Sequence, residues 1–325
     1  MYSFFTAVPL LAGFIFLFSP PSLEKNNSRL FKIIGIVSIC ALVYFLEAPL
    51  SARHIFLGRA ESTIDFYKNR ESFADRQQTA WKDDVLPTEW NDVIGEKTVQ
   101  ILPWELCYAA ANHWAGWQPN PVFQLYTVYT KKLDEYSAAS FTPARAPQFA
   151  LLEYNAIDGR NMFLDTPATW NAITPNYHIL LQDEQRLLLT KNEALRTLKF
   201  TPFKAEKYQF NEPIIIPHRE TPVYARIEIT PSIIGKIVTT LFRGRPLTAI
   251  VTYQDDAPKE YRVIADTLNS PTLISNIPGN YAQMVDFWRG KNTGSAVEKI
   301  EFSNRTIGDW FYRNEIKIEW LESVQ

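Results

Sequence analysis

The chain has 325 residues, a formal net charge of −2 and an aromatic content of 14 %. That balance lacks the basic excess that nucleic-acid binding requires, and the length leaves room for roughly one to three domains. With two cysteines, no CxxC pair and four scattered histidines, a structural zinc site is not expected.

Two apolar runs, residues 3–19 and 33–50, open the chain. Each approaches the roughly 18–20 apolar residues that cross a bilayer as a helix. The loop between them carries Lys25, Arg29 and Lys32 against Glu24. Short basic loops stay cytoplasmic, so the expectation is a cell-membrane protein. Its amino terminus would lie outside, the hairpin loop inside, and everything after Leu50 outside. A cleaved signal peptide is the alternative for the first run, but that run lacks a basic start. Cys40 lies in the second run and Cys107 far beyond it, so no disulfide is expected.

Residues 51–94 read as a juxtamembrane helix, rich in charge and free of proline before Pro87. Residues 95–204 read as a small α/β domain. Residues 98–102 form a short apolar strand stopped by Pro103, and residues 149–154 form another. Thr166 followed by Pro167 opens a helix, since proline suits the first helical position. Residues 177–181 and 186–190 flank a polar turn, which is a hairpin signal. Residues 205–325 read as an all-β, jelly-roll-like antiparallel sandwich. The strand spacing and the recurring turn residues suit such a fold. Around residues 315–320, Ile316, Ile318 and Trp320 alternate with Lys317 and Glu319, the signature of a half-buried strand. The expected class is therefore α+β: a two-helix membrane anchor over residues 1–50, a small α/β domain and a carboxy-terminal β-sandwich.

The densest chemical signal lies between Leu102 and Thr130, where three Trp, three Tyr and three Pro fall in one stretch. It follows a strand end, where α/β sheets tend to bind ligands. Trp114, Trp117 or Tyr126 would stack on a sugar face, with Glu105, Gln124 and Asn120 bonding hydroxyls. The competing reading is a packed irregular segment. Past the second strand, Asp158 and Arg160 flank Gly159 and could hold an anionic or hydroxylated ligand, or else fix the turn. Glu153 and Asp158 are weak candidates for a catalytic carboxylate pair. No GxSxG, P-loop, GxGxxG or HExxH motif occurs, so no metal or cofactor is implied.

The stretch from Pro103 through Ala138, followed by residues 145–170, resembles the extracytoplasmic region of bacterial multi-pass membrane proteins. These in turn resemble polytopic glycosyltransferases that use lipid-linked sugars. The likeness runs through Trp117, Pro119, Pro121, Val122, Gln124, Tyr126, Tyr129 and Thr130, then Ala146, Pro147, Ile157, Asp158, Gly159, Arg160 and Pro167. It implies handling of lipid-linked sugar. The chain departs from such enzymes in having two apolar runs rather than a large bundle, and in lacking an acidic residue in an early external loop. The functional expectation is thus a non-catalytic envelope protein that binds or positions glycan or lipid-linked sugar. A glycoside-processing enzyme and an assembly subunit of a membrane complex are the alternatives. Expected partners are membrane lipid, a glycan and a membrane protein, and not nucleic acid.

Overall fold

The computed structural model describes residues 61–69, 79–104, 106–155, 157–241, 247–254, 256–291, 296–304 and 310–324. Both amino-terminal apolar runs, and with them the expected anchor, lie outside these residues. Among the described residues no helix is long and apolar enough to cross a membrane. The chain divides into two compact units, residues 1–80 and 81–325. In the first, residues 61–68 are helical and expose Ile64, Phe66 and Tyr67.

The second unit is a mixed α+β body whose described residues form three four-stranded sheets. The first sheet has the order β1 (Val99–Leu102), β2 (Phe149–Glu153), β4 (Arg186–Lys191), β3 (Tyr177–Gln182). β1 and β2 run parallel and the other pairs antiparallel. Helices α1 (Thr88–Ile94), α2 (Cys107–Ala111), α3 (Lys131–Ala138), α4 (Met162–Asp165) and α5 (Pro167–Ile173) accompany it. β1, β2 and β4 read as nearly unbroken apolar runs because both their faces are covered, whereas the edge strand β3 exposes His178, Leu180 and Gln182. Val99, Ile101, Phe149, Leu151 and Leu188 face a cluster built on Trp90, Ile94 and Trp114. Leu102, Ala150, Leu152, Leu187 and Leu189 face the main core.

Two further sheets are antiparallel throughout. One has the order β10 (Thr272–Leu273), β7 (Val223–Pro231), β12 (Tyr312–Val324), β5 (Lys199–Tyr208). The other has the order β6 (Pro213–Ile215), β11 (Val297–Ser303), β8 (Leu247–Tyr253), β9 (Lys259–Val263). Their apolar faces feed one cluster, a sandwich-like arrangement that continues into the core of the first sheet. The alternation read in β12 holds: Ile316, Ile318 and Trp320 are all but fully buried. Burying each such side chain stabilises by about 1.5–3 kcal/mol.

The structure departs from an all-β reading of residues 205–325. Helices α6 (Ile233–Leu241) and α7 (Tyr281–Trp288) interrupt the strands, and β5 straddles residue 204. α6 sits where only glycine fits. A Cβ at Gly235 would meet the Phe311 carbonyl oxygen at 2.0 Å. Ser232 caps the helix, its Oγ accepting from the Gly235 amide at 3.0 Å, and the Ser232 amide donates to the Phe311 carbonyl at 2.9 Å. Gly235→Ala is therefore expected to push α6 off residues 310–312 and cost about 1–3 kcal/mol, the usual range for overpacking. A thermal melt of the intact variant checks this, and an unchanged midpoint would contradict the close approach.

Candidate functional site

The aromatic loop mostly packs. Trp114 is 8 % exposed and its indole N–H donates to Asn91 Oδ1 at 2.9 Å. Trp117 is half-buried against the same cluster. Its backbone bridges to Val99 at the edge of β1, where the Gly116 Cα lies too close to the Lys97 carbonyl for any side chain. The sugar-stacking expectation for Trp114 and Trp117 thus meets rings that fill the space beneath the first sheet. Asn120 is buried and holds the loop together, accepting from the Val122 amide at 3.0 Å and from Ser137 Oγ at 2.8 Å. Gln124 accepts from Tyr126 Oη at 2.7 Å. Glu105 lies outside the described residues.

Asp158 and Gly159 form a turn in left-handed conformation, with φ of 58° and 68°. Asp158 and Arg160 leave it toward different partners. Asp158 is exposed and pairs with Arg262 of β9 at 3.2 Å. Arg160 is buried, with its side chain 1 % exposed, and faces Asp165 at 3.4 Å. Its guanidinium donates to the Tyr126 carbonyl at 2.9 Å and to Tyr129 Oη at 3.2 Å, and lies 5.3 Å from the centre of the Tyr129 ring. Burial pushes Asp165 up to about 7, with the Arg160 charge pulling the other way. Arg160 is thus a positioning residue that fixes the segment from Tyr126 to Tyr129. Glu153, at the end of β2, accepts from Tyr108 Oη at 3.3 Å. The proposed carboxylate pair therefore consists of two groups engaged with separate partners.

At the carboxyl ends of β1 and β2, Trp104, Tyr126, Asp165 and Thr166 line a crevice of only about 10 Å³, space for about one water. A far larger groove opens where the aromatic loop ends. It measures about 710 Å³ and is walled by Tyr129 and Thr130, by the end of β7 from Glu228 to Pro231, by Thr239 of α6 and by the turn from Ile264 to Asn269. Thr130 caps α3, its hydroxyl accepting from the Leu133 amide at 3.2 Å. The Asp266 carboxylate accepts from the Lys131 amide at 2.8 Å, and the Lys131 ammonium reaches the Asn269 carbonyl at 3.4 Å. These bonds tie the start of α3 to the turn after β9 and make the groove wall rigid. Glu228 pairs with Lys317 at 3.2 Å, which holds its carboxyl below the usual carboxylate range. Another depression, of about 590 Å³, lies on the outer face of the second sheet. Its charges are already paired, Arg226 with Glu319 and Lys207 with Glu315, and no aromatic ring lines it.

The groove joins two tyrosines, Tyr129 and Tyr312, two carboxylates, an amide and three threonine hydroxyls. Such a lining suits a polyhydroxylated ligand, where a ring covers an apolar sugar face and polar groups fix the hydroxyls. None of the described site residues expected from sequence lines this groove; Arg160 touches it through Tyr129 Oη, and Tyr126 lines the small crevice instead. Tyr129 and Thr130 enter directly and were legible only as part of the aromatic stretch. Glu228, Asp266 and Asn269 carry no sequence signal beyond strand alternation and a polar turn. Among the described residues no cluster of three or more metal-ligating side chains occurs.

The fold and site define an α+β, three-sheet body with a polar-aromatic groove at the junction of its parts. Comparison with protein-family models, with curated proteins and with solved structures found no match for the chain.

Proposed function

We propose that this is a non-catalytic envelope protein, held in a membrane by residues 3–19 and 33–50, that binds the glycan headgroup of a lipid-linked sugar in the groove beside α6. One observation carries the reading. A groove of about 710 Å³ brings Tyr129 together with Glu228, Asp266, Asn269 and hydroxyls from both the α/β part and the sandwich. Its size falls within the roughly 300–1,000 Å³ of small-molecule sites. The glycan reading agrees with the likeness to glycosyltransferase-associated regions, which runs through Tyr129 and Thr130. The bulk of the chain lies outside the cell in this account. The separate partners of Glu153 and Asp158 favour binding over hydrolysis.

The test is a bacterial glycan array probed with the intact chain in lipid nanodiscs, followed by calorimetry on any hit. Tyr129→Ala is expected to weaken binding about tenfold, the equivalent of about 1.4 kcal/mol, and Asp266→Asn to weaken it as well. Trp114→Phe should leave affinity unchanged. An array with no hit, or affinity indifferent to Tyr129, would count against the groove.

A further inference from the structure

A second cleft lies across the tie between α3 and the turn after β9. Thr130 and Asn269 line the groove, whereas their neighbours Lys131 and Ser270 line this cleft. It measures about 500 Å³, within the range of small-molecule sites. α3 and α5 form one wall, and the segment leading into β5, with Phe200 and Arg226, forms the other. The space exists because the helix positions that line it are small. Ala138, Ala168 and Ala172 leave open what larger side chains would fill.

Both walls are fixed by bonds from side chain to backbone. Asn176, just past α5, accepts from the Arg196 amide at 2.6 Å and donates to the Arg196 carbonyl at 2.9 Å. Asn171 of α5 donates to the Pro271 carbonyl at 2.6 Å. A cleft held in this way needs little ordering when a ligand enters.

Two groups that line the cleft have no partner among the described residues. Ser270 is 1 % exposed. Its amide donates to the Thr267 carbonyl at 3.0 Å and its carbonyl accepts from the Thr272 hydroxyl at 2.9 Å, but its own hydroxyl bonds to nothing. Native folds rarely leave a buried hydroxyl so. Arg196, on the rim, is exposed and makes no ion pair with a described residue. The other cations of the lining are engaged, Lys131 with Glu135 at 3.9 Å and Arg226 with Glu319 at 2.5 Å. Glu135 is the single carboxylate of the lining. The cleft thus combines an apolar floor, an unused buried hydroxyl and an unused guanidinium. A bare inorganic anion would leave the alanine floor uncovered, and a neutral sugar would leave Arg196 unused.

We infer that this cleft binds a small organic acid with an apolar body. The anionic group sits on Arg196, the carbon skeleton covers Ala138, Ala172 and Phe141, and an oxygen of the ligand accepts from the Ser270 hydroxyl. A guanidinium fork takes carboxylate and phosphate alike, and the experiment separates the two. The inference does not rest on the glycan reading.

The experiment is saturation-transfer NMR on the full chain in phosphatidylcholine nanodiscs, with empty nanodiscs as the blank. Three probes share one body: 4-phenylbutyrate, 4-phenylbutyl phosphate and the neutral 4-phenylbutanol. At least one of the two acids is expected to bind in the roughly millimolar range that so small a body allows, and the stronger of them names the acid group. The alcohol should bind about tenfold more weakly, the worth of a hydrogen bond to a charged group. Arg196→Gln should weaken the acid by about the same factor and leave the alcohol unchanged. Ser270→Ala should weaken the acid about fivefold, one neutral hydrogen bond, while the melting midpoint of the free protein stays level or rises, since the hydroxyl has no partner to lose. A merely structural serine would show the reverse, a lower midpoint with unchanged affinity. No acid signal above the blank overturns the inference. So does an alcohol that binds as well as the acids, or acid binding indifferent to Arg196→Gln or to Ser270→Ala.

Discussion

Arg160→Ala is expected to be the most damaging single substitution in the second unit, costing about 3–5 kcal/mol at neutral pH. The reason is what it leaves behind. Removing one member of a buried ion pair strands the other, here Asp165 with its side chain 8 % exposed. The Tyr126 carbonyl and Tyr129 Oη lose their donor as well. The stranded carboxylate responds by holding its proton more tightly. The gap between variant and wild type should therefore narrow as pH falls and Asp165 becomes neutral. Urea denaturation of both proteins at pH 5 and pH 8, followed by tryptophan fluorescence, reads this directly. A gap of equal size at both pH values would mean that Asp165 is not what the arginine supports. Under the proposed glycan reading, affinity should drop in step, because the same guanidinium holds Tyr129; Arg160→Lys, which lacks the planar fork, is expected to recover little of it.

Asp134→Ala should come second, at about 3 kcal/mol. α5 begins at Pro167, and its flanking Thr166 makes no side-chain cap. Asp134 supplies the cap from α3 instead, accepting from the Ala168 amide at 2.8 Å, the Thr169 amide at 3.0 Å and the Thr169 hydroxyl at 2.7 Å. Each buried donor left without an acceptor costs about 1–3 kcal/mol. The same carboxylate carries a pH signature. Burial pushes it up to about 6 despite those three bonds. The native state then binds a proton more tightly than the unfolded chain, in which an aspartate titrates near 3.9. Stability falls as pH rises through the interval from about 4 to about 6, by on the order of 2–3 kcal/mol, and is level above it. Asp165, raised by burial to about 7, extends a fall of the same sign. Asp134→Asn should flatten the lower part of that curve, and a pH series of melting midpoints that kept the wild-type slope would sink the assignment.

Strands with both faces covered, such as β1 and β2, announce themselves by unbroken apolar residues, and β12 by strict alternation. The helix at Pro167 was legible from its first residue. β5 was not. As an edge strand it carries Lys199, Lys204, Lys207 and Pro202, the residues that keep an open edge from recruiting another chain, and these hide its pattern. α6 was missed for the opposite reason. Its isoleucines, valine and threonines favour strands, and the close seat of Gly235 on Phe311, which no local rule foresees, decides for helix. The groove was invisible because its walls come from distant segments, with Lys131 meeting Asp266 across 135 residues. The aromatic loop was conspicuous in composition, yet most of that composition is spent on filling.

The place of β12 at the centre of its sheet bears on how the protein is made. β5 and β7 both bond along its length and not to each other. A nascent chain that has already delivered both of them must keep two half-sheets apart, with their apolar faces open, until residues 312–324 arrive. Closure of the body therefore waits for residues 312–324, and a chaperone that shields those faces in the interval would raise the yield of folded protein.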